Sequence, residues 1–364
     1  MPRFDSRISR RAFIASAAGV ATFAAKAAEP STTLASDVAS LLMVGFAGSS
    51  PYSPSAIRLA RYIRHGHVGS VFFVQDNVGS NRDLQELVAG FKAARPGLRL
   101  AIDHEGGLVQ RLTPTHGCRR VPKAFDIPGR MSPSEALDFY AQVGKEFAAT
   151  GFNINLAPVV DIYAPGNPAI AKFGRAFSSD PEIIVAYARA FIDGFHASRI
   201  VCALKHFPGY GNATEDNHDE LPDITKTWSA RDLEPYSALI GSDRVNLIMG
   251  THLKLASLDP NLPTTLSRRI TAGLLREELR FQGVIMTDDI DMAALAKSMD
   301  RKSAFIAALA AGNDLIMVKN VTNHDPNFPR HAVQWVEEAI ASGKLSREAI
   351  AASARRVEAL SIVV

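Results

Sequence analysis

Several features are scarce in this 364-residue chain, and each scarcity closes off a class of protein. Only two cysteines occur, Cys118 and Cys202. That excludes a small disulfide scaffold, and the pair is not at metal-ligand spacing. Cys202 lies in an apolar run and reads as a buried thiol, while a bridge to Cys118 stays open. Beyond the N-terminus there is no charge block, no low-complexity tract and no linker long enough to mark a domain boundary. No Gly-rich turn follows the first strand candidate, which argues against a doubly wound dinucleotide-binding sheet.

A surplus of charge is missing too, once the N-terminus is set aside. Ser9-Arg10-Arg11-Ala12-Phe13-Ile14 reads as a twin-arginine export signal. It is followed by an alanine-rich stretch, Ala15–Ala25, and by small residues suited to cleavage at Ala25-Lys26-Ala27. The stretch is short and rich in Ala and Gly for a bilayer span, so a cleaved signal over residues 1–28 is expected rather than a stable membrane anchor. Those residues hold five basic groups (Arg3, Arg7, Arg10, Arg11, Lys26) and one acid, Asp5. Of 40 basic and 37 acidic side chains, 35 and 36 remain after cleavage, and the net charge moves from +3 to −1. Nothing in that balance recommends a nucleic-acid partner.

What is present is alternation. Continuous apolar, β-branched-rich runs at 41–46, 69–74, 98–103, 153–157, 201–206, 246–251, 284–288 and 314–318 have the character of strands buried on both faces. Amphipathic stretches such as 81–94, 132–150, 180–198, 231–242, 267–279 and 303–311 lie between them. Eight strands alternating with helices predict an α/β protein with a single-domain (β/α)8 TIM-type barrel over residues 36–364. Asp103, His206, His252 and Asp288 each fall at or just past the C-terminal end of a predicted strand, the rim where barrel enzymes place their chemistry. Any one of them alone reads better as a hydrogen-bonded core residue; four together point to a site.

Two segments concentrate the chemistry. The run Lys205-His206-Phe207-Pro208-Gly209-Tyr210-Gly211-Asn212-Ala213-Thr214-Glu215-Asp216-Asn217-His218 leaves a buried strand and enters a bent loop. Its i, i+2 spacing lets Asp216 accept a hydrogen bond from His218, fixing the ring and favouring its protonated form. Such an imidazole suits donating and then removing a proton. The second run, Gly283-Val284-Ile285-Met286-Thr287-Asp288-Asp289-Ile290-Asp291-Met292, is an apolar strand ending in acids. Asp288 continues the strand onto the rim, while Asp289 and Asp291 read as helix-start residues.

These segments resemble the β-N-acetylglucosaminidase branch of glycoside hydrolase family 3, marked by a Lys-His-Phe-Pro-Gly-x-Gly run ending in Asp-x-His. Further matches are Ile102–Arg111, Asn155–Asp161, Gly174–Ser178 and Ile248–His252, then Asp259-Pro260 and Thr265-Leu266-Ser267. A lone Pro-Gly loop is weak evidence; the ordered set, each member after its own strand, is specific. The resemblance implies Asp288 as nucleophile and the Asp216–His218 pair as acid/base. It implies Asp103, Arg111, Arg175, Lys205 and His206 as the residues that hold the sugar; the alternative reading pairs Arg111 and Arg175 with Asp103 or Asp161 in a rim network, and Glu105 and Asp161 read as structural support. The implied reaction is retaining hydrolysis of terminal β-linked N-acetylglucosamine from peptidoglycan- or chitin-derived fragments, without cofactor or metal. The resemblance implies that carbohydrate as partner, while the twin-arginine signal separately adds the Tat export machinery and a location in the periplasm or outside the cell. This chain departs from the family pattern at Tyr210 (commonly His), Asn212-Ala213 (commonly Asp-Thr) and Asn217 (commonly Ser). The competing readings are a metal-dependent barrel hydrolase, a phosphorylase and a non-catalytic sugar-binding relative.

Overall fold

The computed structural model describes residues 33–217, 219–242 and 244–360. The export signal expected over residues 1–28 lies outside them. Eight parallel strands form one sheet: β1 (Leu42–Val44), β2 (Ser70–Phe73), β3 (Arg99–Ile102), β4 (Ile154–Asn155), β5 (Val201–Phe207), β6 (Leu247–Gly250), β7 (Val284–Met286) and β8 (Ile316–Val318). They run in chain order, and β8 pairs with β1 through Leu42 opposite Ile316. A bridge between Met286 and Leu315 joins β7 to β8 and closes the barrel. Every residue of these strands is buried, as expected when one face packs the barrel interior and the other packs helices.

Each strand is followed by a helix, and local chemistry fixes where the helices start. Ser80 caps the helix Asn81–Ala94 by accepting from the Asp83 N–H at 3.1 Å. Ser132 and Glu135 form a reciprocal capping box at Pro133–Ala149, and Asp180 with Pro181 opens Pro181–His196. The stretch expected as a helix over 267–279 is wound as a π-helix over Arg269–Glu278. Helices also follow β1 (Pro54–Arg64) and β8 (Phe328–Ala341, then Arg347–Ala359). A two-stranded antiparallel excursion, His104–Gly106 against Val109–Gln110, grows from the end of β3 onto the rim. Among the described residues no helix is long and apolar enough to cross a membrane. Cys118 and Cys202 are both buried thiols and do not bridge.

The end of the barrel opposite the rim is tied together by one carboxylate. Asp314, fully buried ahead of β8, accepts from Arg276 at 2.6 Å, Arg356 at 2.9 Å, the Ser353 hydroxyl at 2.7 Å and the Ile285 N–H at 3.0 Å. It therefore joins β7, the π-helix and the last helix through a single charge. Removing one member of such a buried set leaves the others uncompensated, a loss of about 3–5 kcal/mol. Asp314→Ala is expected to lower stability by that order in urea denaturation while leaving the near-ultraviolet circular dichroism of the folded protein unchanged.

Candidate active site

Lys205 sits two residues before the end of β5 at Phe207, where the strand reaches the rim. Its ammonium is buried and lies 2.7 Å from Asp103 Oδ1 and 2.6 Å from Glu105 Oε1. Glu105, from the excursion after β3, also accepts two parallel hydrogen bonds from Arg175, both at 2.8 Å. Burial opposes ionisation of Glu105, but the Arg175 and Lys205 cations outweigh it and hold the carboxyl well below the usual carboxylate range. The same balance works in reverse for Lys205, where burial is outweighed by Asp103 and Glu105 and the pKa is raised. All of these groups are charged, and each holds the next in place.

Arg175 continues the network. Its second terminal nitrogen lies 3.3 Å from His206 Nε2, and it donates to the Ala169 carbonyl at 3.2 Å. His206 Nδ1 is 2.7 Å from Asp161 Oδ2. A guanidinium only donates, so the arrangement places the His206 proton on Nδ1, toward Asp161, and leaves Nε2 as acceptor. Asp161 also accepts from the Tyr210 N–H at 2.8 Å, which ties the start of the long β5 loop to the same carboxylate.

Asp288 follows β7. Its Oδ2 accepts from the Thr251 hydroxyl at 3.0 Å and its Oδ1 from the Asp289 N–H at 2.9 Å, which sets the direction of the carboxylate. Thr251 is in turn held by Asn217, whose side-chain amide donates to the Thr251 oxygen at 2.7 Å. Asn217 belongs to the loop that carries Asp216, so the loop and the β7 carboxylate are linked through one threonine. Tyr210 pins the same loop: its buried hydroxyl donates to the Glu215 carbonyl at 3.0 Å and accepts from the Asn217 N–H at 2.8 Å. Two departures from the family pattern thus work together. Asn212 donates to Asp232 at 3.0 Å and anchors the loop's near end.

Asp103, Arg111, Arg175, Lys205, His206, Asp216 and Asp288 all line one cavity of about 200 Å³, floored by Phe72, Leu156, Met249 and Met317. That is below the range of about 300–1,000 Å³ typical of drug-sized ligands and suits one sugar unit. The structure therefore brings together every expected site residue that it describes; His218 lies outside the described residues. Arg111 makes only a 4.0 Å contact with Asp103, and Arg175 pairs with Glu105 rather than with Asp103 or Asp161. His252 is a different case. It is fully buried, with Nδ1 2.6 Å from Thr265 Oγ1 and Nε2 3.0 Å from the Asp289 carbonyl, so both nitrogens are used in the core. Among the described residues no group of three or more His, Cys, Asp or Glu is placed to hold a metal.

Nothing in the local sequence marks Asn217 as a site residue, and Thr251 carries the same end-of-strand signal as His252, one position earlier. Asp289 and Asp291 do not start a helix as expected: the next helical turn is Ala293–Ala296, capped at Met292. They order the loop instead, Asp291 pairing with Arg301 at 2.7 and 2.8 Å and Asp289 accepting from the Lys319 and Asp291 N–H groups.

A rim of acids and bases around a one-sugar cavity at the C-terminal face of a parallel barrel is the build of a barrel glycosidase. The comparisons give the family. The model of the glycosyl hydrolase family 3 N terminal domain matches residues 33–360, and the chain belongs to that family and is a glycoside hydrolase. A Pseudomonas aeruginosa (strain LESB58) protein named beta-hexosaminidase is 36% identical over 262 residues, 71% of this chain and 77% of that protein. The crystal structure of a beta-N-acetylhexosaminidase from Beutenbergia cavernae DSM 12333 superposes with a TM-score of 0.81 at 29% identity, covering 91% of this chain and 99% of that one. A family 3 beta-N-acetylglucosaminidase from Paenibacillus sp. str. FPU-7 gives 0.82 at 30% identity, over 92% of this chain and 63% of that one.

Asp289 carries a pH signature. Burial, and then the Asp291 and Asp288 charges, push its carboxyl up to about 7 against its ordinary 3.8. Between those values the folded chain holds a proton that the unfolded chain has lost, so this residue's contribution falls as pH rises from about 4 to about 7. Asn cannot ionise and keeps the acceptor oxygen. Asp289→Asn is expected to gain stability relative to the parent across that window, read by chemical denaturation at pH 5 and pH 8. A difference that does not change with pH contradicts the assignment.

Proposed function

We propose that this family 3 hydrolase is a retaining exo-β-N-acetylglucosaminidase, with Asp288 as nucleophile and Asp216 with His218 as acid/base. The observation that carries the reading is the placement of Asp288. Its carboxylate is oriented by Thr251 and the Asp289 N–H into the cavity that Asp103, Lys205 and Arg175 surround. A fixed carboxylate at the wall of a one-sugar pocket is suited to attack the anomeric carbon as the bond to the leaving oxygen breaks. His218 gives its proton to that oxygen, then takes one from the incoming water as the glycosyl ester is hydrolysed. Asp216 orients the ring. Asp103 and Lys205 supply an acceptor and a donor to the sugar hydroxyls, contacts that strengthen as charge develops at the ring.

The printed names of the relatives, beta-hexosaminidase and beta-N-acetylglucosaminidase, support the aminosugar as substrate. The pocket's size supports removal of one terminal residue from a short peptidoglycan- or chitin-derived chain. Arg10 and Arg11 support Tat-dependent export and work outside the cytoplasm.

A 5-fluoro N-acetylglucosaminyl fluoride should label the peptide that contains Asp288, and proton NMR of the natural reaction should show the β-anomer first. Asp288→Asn should lose the label and about three orders of magnitude or more in kcat. Labelling of another residue, or an α-anomer as first product, overturns the mechanism.

A further inference from the structure

Several arginines on this fold are matched to carboxylates. Arg119 meets Glu146 at 2.7 Å, Arg244 meets Asp193 at 2.8 Å and Arg301 meets Asp291 at 2.7 Å. A different arrangement occurs where the helix Pro54–Arg64 lies beside the start of the helix Phe328–Ala341. There Arg58, Arg61, Tyr62, His65, His67, Asn327 and Arg330 surround a cavity of about 220 Å³. Three guanidiniums and two imidazoles face it, and no acid lines it.

The lining is organised rather than merely basic. Arg330 lies over the Tyr62 ring, 5.9 Å from its centroid, and the Tyr62 hydroxyl donates to Asn327 Oδ1 at 3.2 Å, so ring and amide join the two helices. Arg58 is steered by His324: the imidazole's Nδ1 faces the Asn320 carbonyl at 3.0 Å, which leaves Nε2 to accept from Arg58 at 3.1 Å. The nearby acid, Asp325, is taken up by His331 at 2.6 Å and by the Asn327 N–H at 2.9 Å. None of Arg58, Arg61 and Arg330 forms an ion pair among the described residues. The His65 and His67 rings are 6.3 Å apart, and Tyr62 meets His67 edge-on at 5.9 Å. Burial first, then His65 and Arg330, push the His67 pKa down, so the cations around it already repel a further positive charge. An anion in their midst reverses that repulsion.

We infer that this pocket is a second ligand site, separate from the catalytic cavity, that takes the phosphate group of a phosphate ester. Guanidinium forks match a tetrahedral oxyanion by paired N–H donors, and three of them from two helices cover it from different sides. A cavity of about 220 Å³ holds more than a bare phosphate and leaves room for the group that carries it. None of the lining residues belongs to the catalytic cavity, so the site stands or falls independently of the glycosidase mechanism.

The test is calorimetric titration of the full-length protein at fixed ionic strength with inorganic phosphate, with glycerol 1-phosphate, and with vesicles of phosphatidylglycerol against phosphatidylcholine. Both soluble phosphates are expected to bind one to one. Arg61→Gln/Arg330→Gln is expected to bind at least about tenfold more weakly. Arg64→Gln removes a charge from the same helix outside the lining and is expected to bind as the parent does. Turnover of a chromogenic N-acetylglucosaminide should be unchanged in both variants and each should melt in one cooperative transition, which separates loss of the site from loss of the fold. Binding of phosphatidylglycerol vesicles that the double variant also loses identifies a lipid headgroup as the source of the phosphate. Indifference to vesicles identifies a soluble ester. The inference is overturned if the soluble phosphates do not bind, if the double variant binds them like the parent, or if Arg64→Gln weakens binding as much as the double variant does.

Discussion

Glu105 carries a charge in a place that water barely reaches, and the geometry of the site follows from how that charge is satisfied. An isolated buried carboxylate would take up a proton. Here Arg175 meets it with a two-pronged contact and Lys205 with a third hydrogen bond, so ionisation is held and three side chains from three different loops and strands are fixed at once. Lys205 in turn holds Asp103, and Arg175 reaches His206, which Asp161 orients. The groups that line the cavity are thus fixed before any ligand arrives, and a rigid set of donors and acceptors is what allows binding energy to be used on the transition state rather than on ordering the protein. Neither Glu105 nor Asp161 needs to touch substrate for this.

The second constraint runs through the loop after β5. On the proposed mechanism this loop brings the acid/base to the sugar and has to stay in register with Asp288 after another strand. In this chain that register is carried by Tyr210, which clamps Glu215 and Asn217, and by Asn217, which reaches Thr251 and through it Asp288. A serine at position 217 would be shorter by an amide group, and a histidine at 210 would present a ring nitrogen in place of a hydroxyl able both to donate and to accept. The departures from the family pattern are therefore coupled: the larger side chain at 210 positions the longer one at 217.

Much of the fold was legible because strands buried on both faces leave continuous apolar runs, and all eight of those runs became barrel strands. The site was legible for a related reason, since a charged residue ending an apolar strand has to face the rim. The same signal misled at His252, because a threonine side chain and a backbone carbonyl satisfy that ring inside the core, and tertiary partners of that kind leave no trace in local sequence. Position alone suggests Asp289 and Asp291 as helix starters, whereas their acceptors are spent on backbone N–H groups and an arginine from later in the chain. Glu105 was legible as a supporting residue, but its partner was not: the pairing with Arg175 spans 70 positions. The cationic pocket between the helices Pro54–Arg64 and Phe328–Ala341 is invisible in sequence for the same reason of distance.

The claim that the buried carboxylate organises the pocket is tested most directly by Glu105→Gln, which keeps the shape and removes the charge. The quantity to measure is kcat/KM on a chromogenic N-acetylglucosaminide, with the variant confirmed as folded. Loss of one member of a buried, hydrogen-bonded charge set should lower it by roughly two to three orders of magnitude, since Lys205 and Arg175 each lose a charged partner. A folded variant with the parent's kcat/KM would show that the site is organised without that charge.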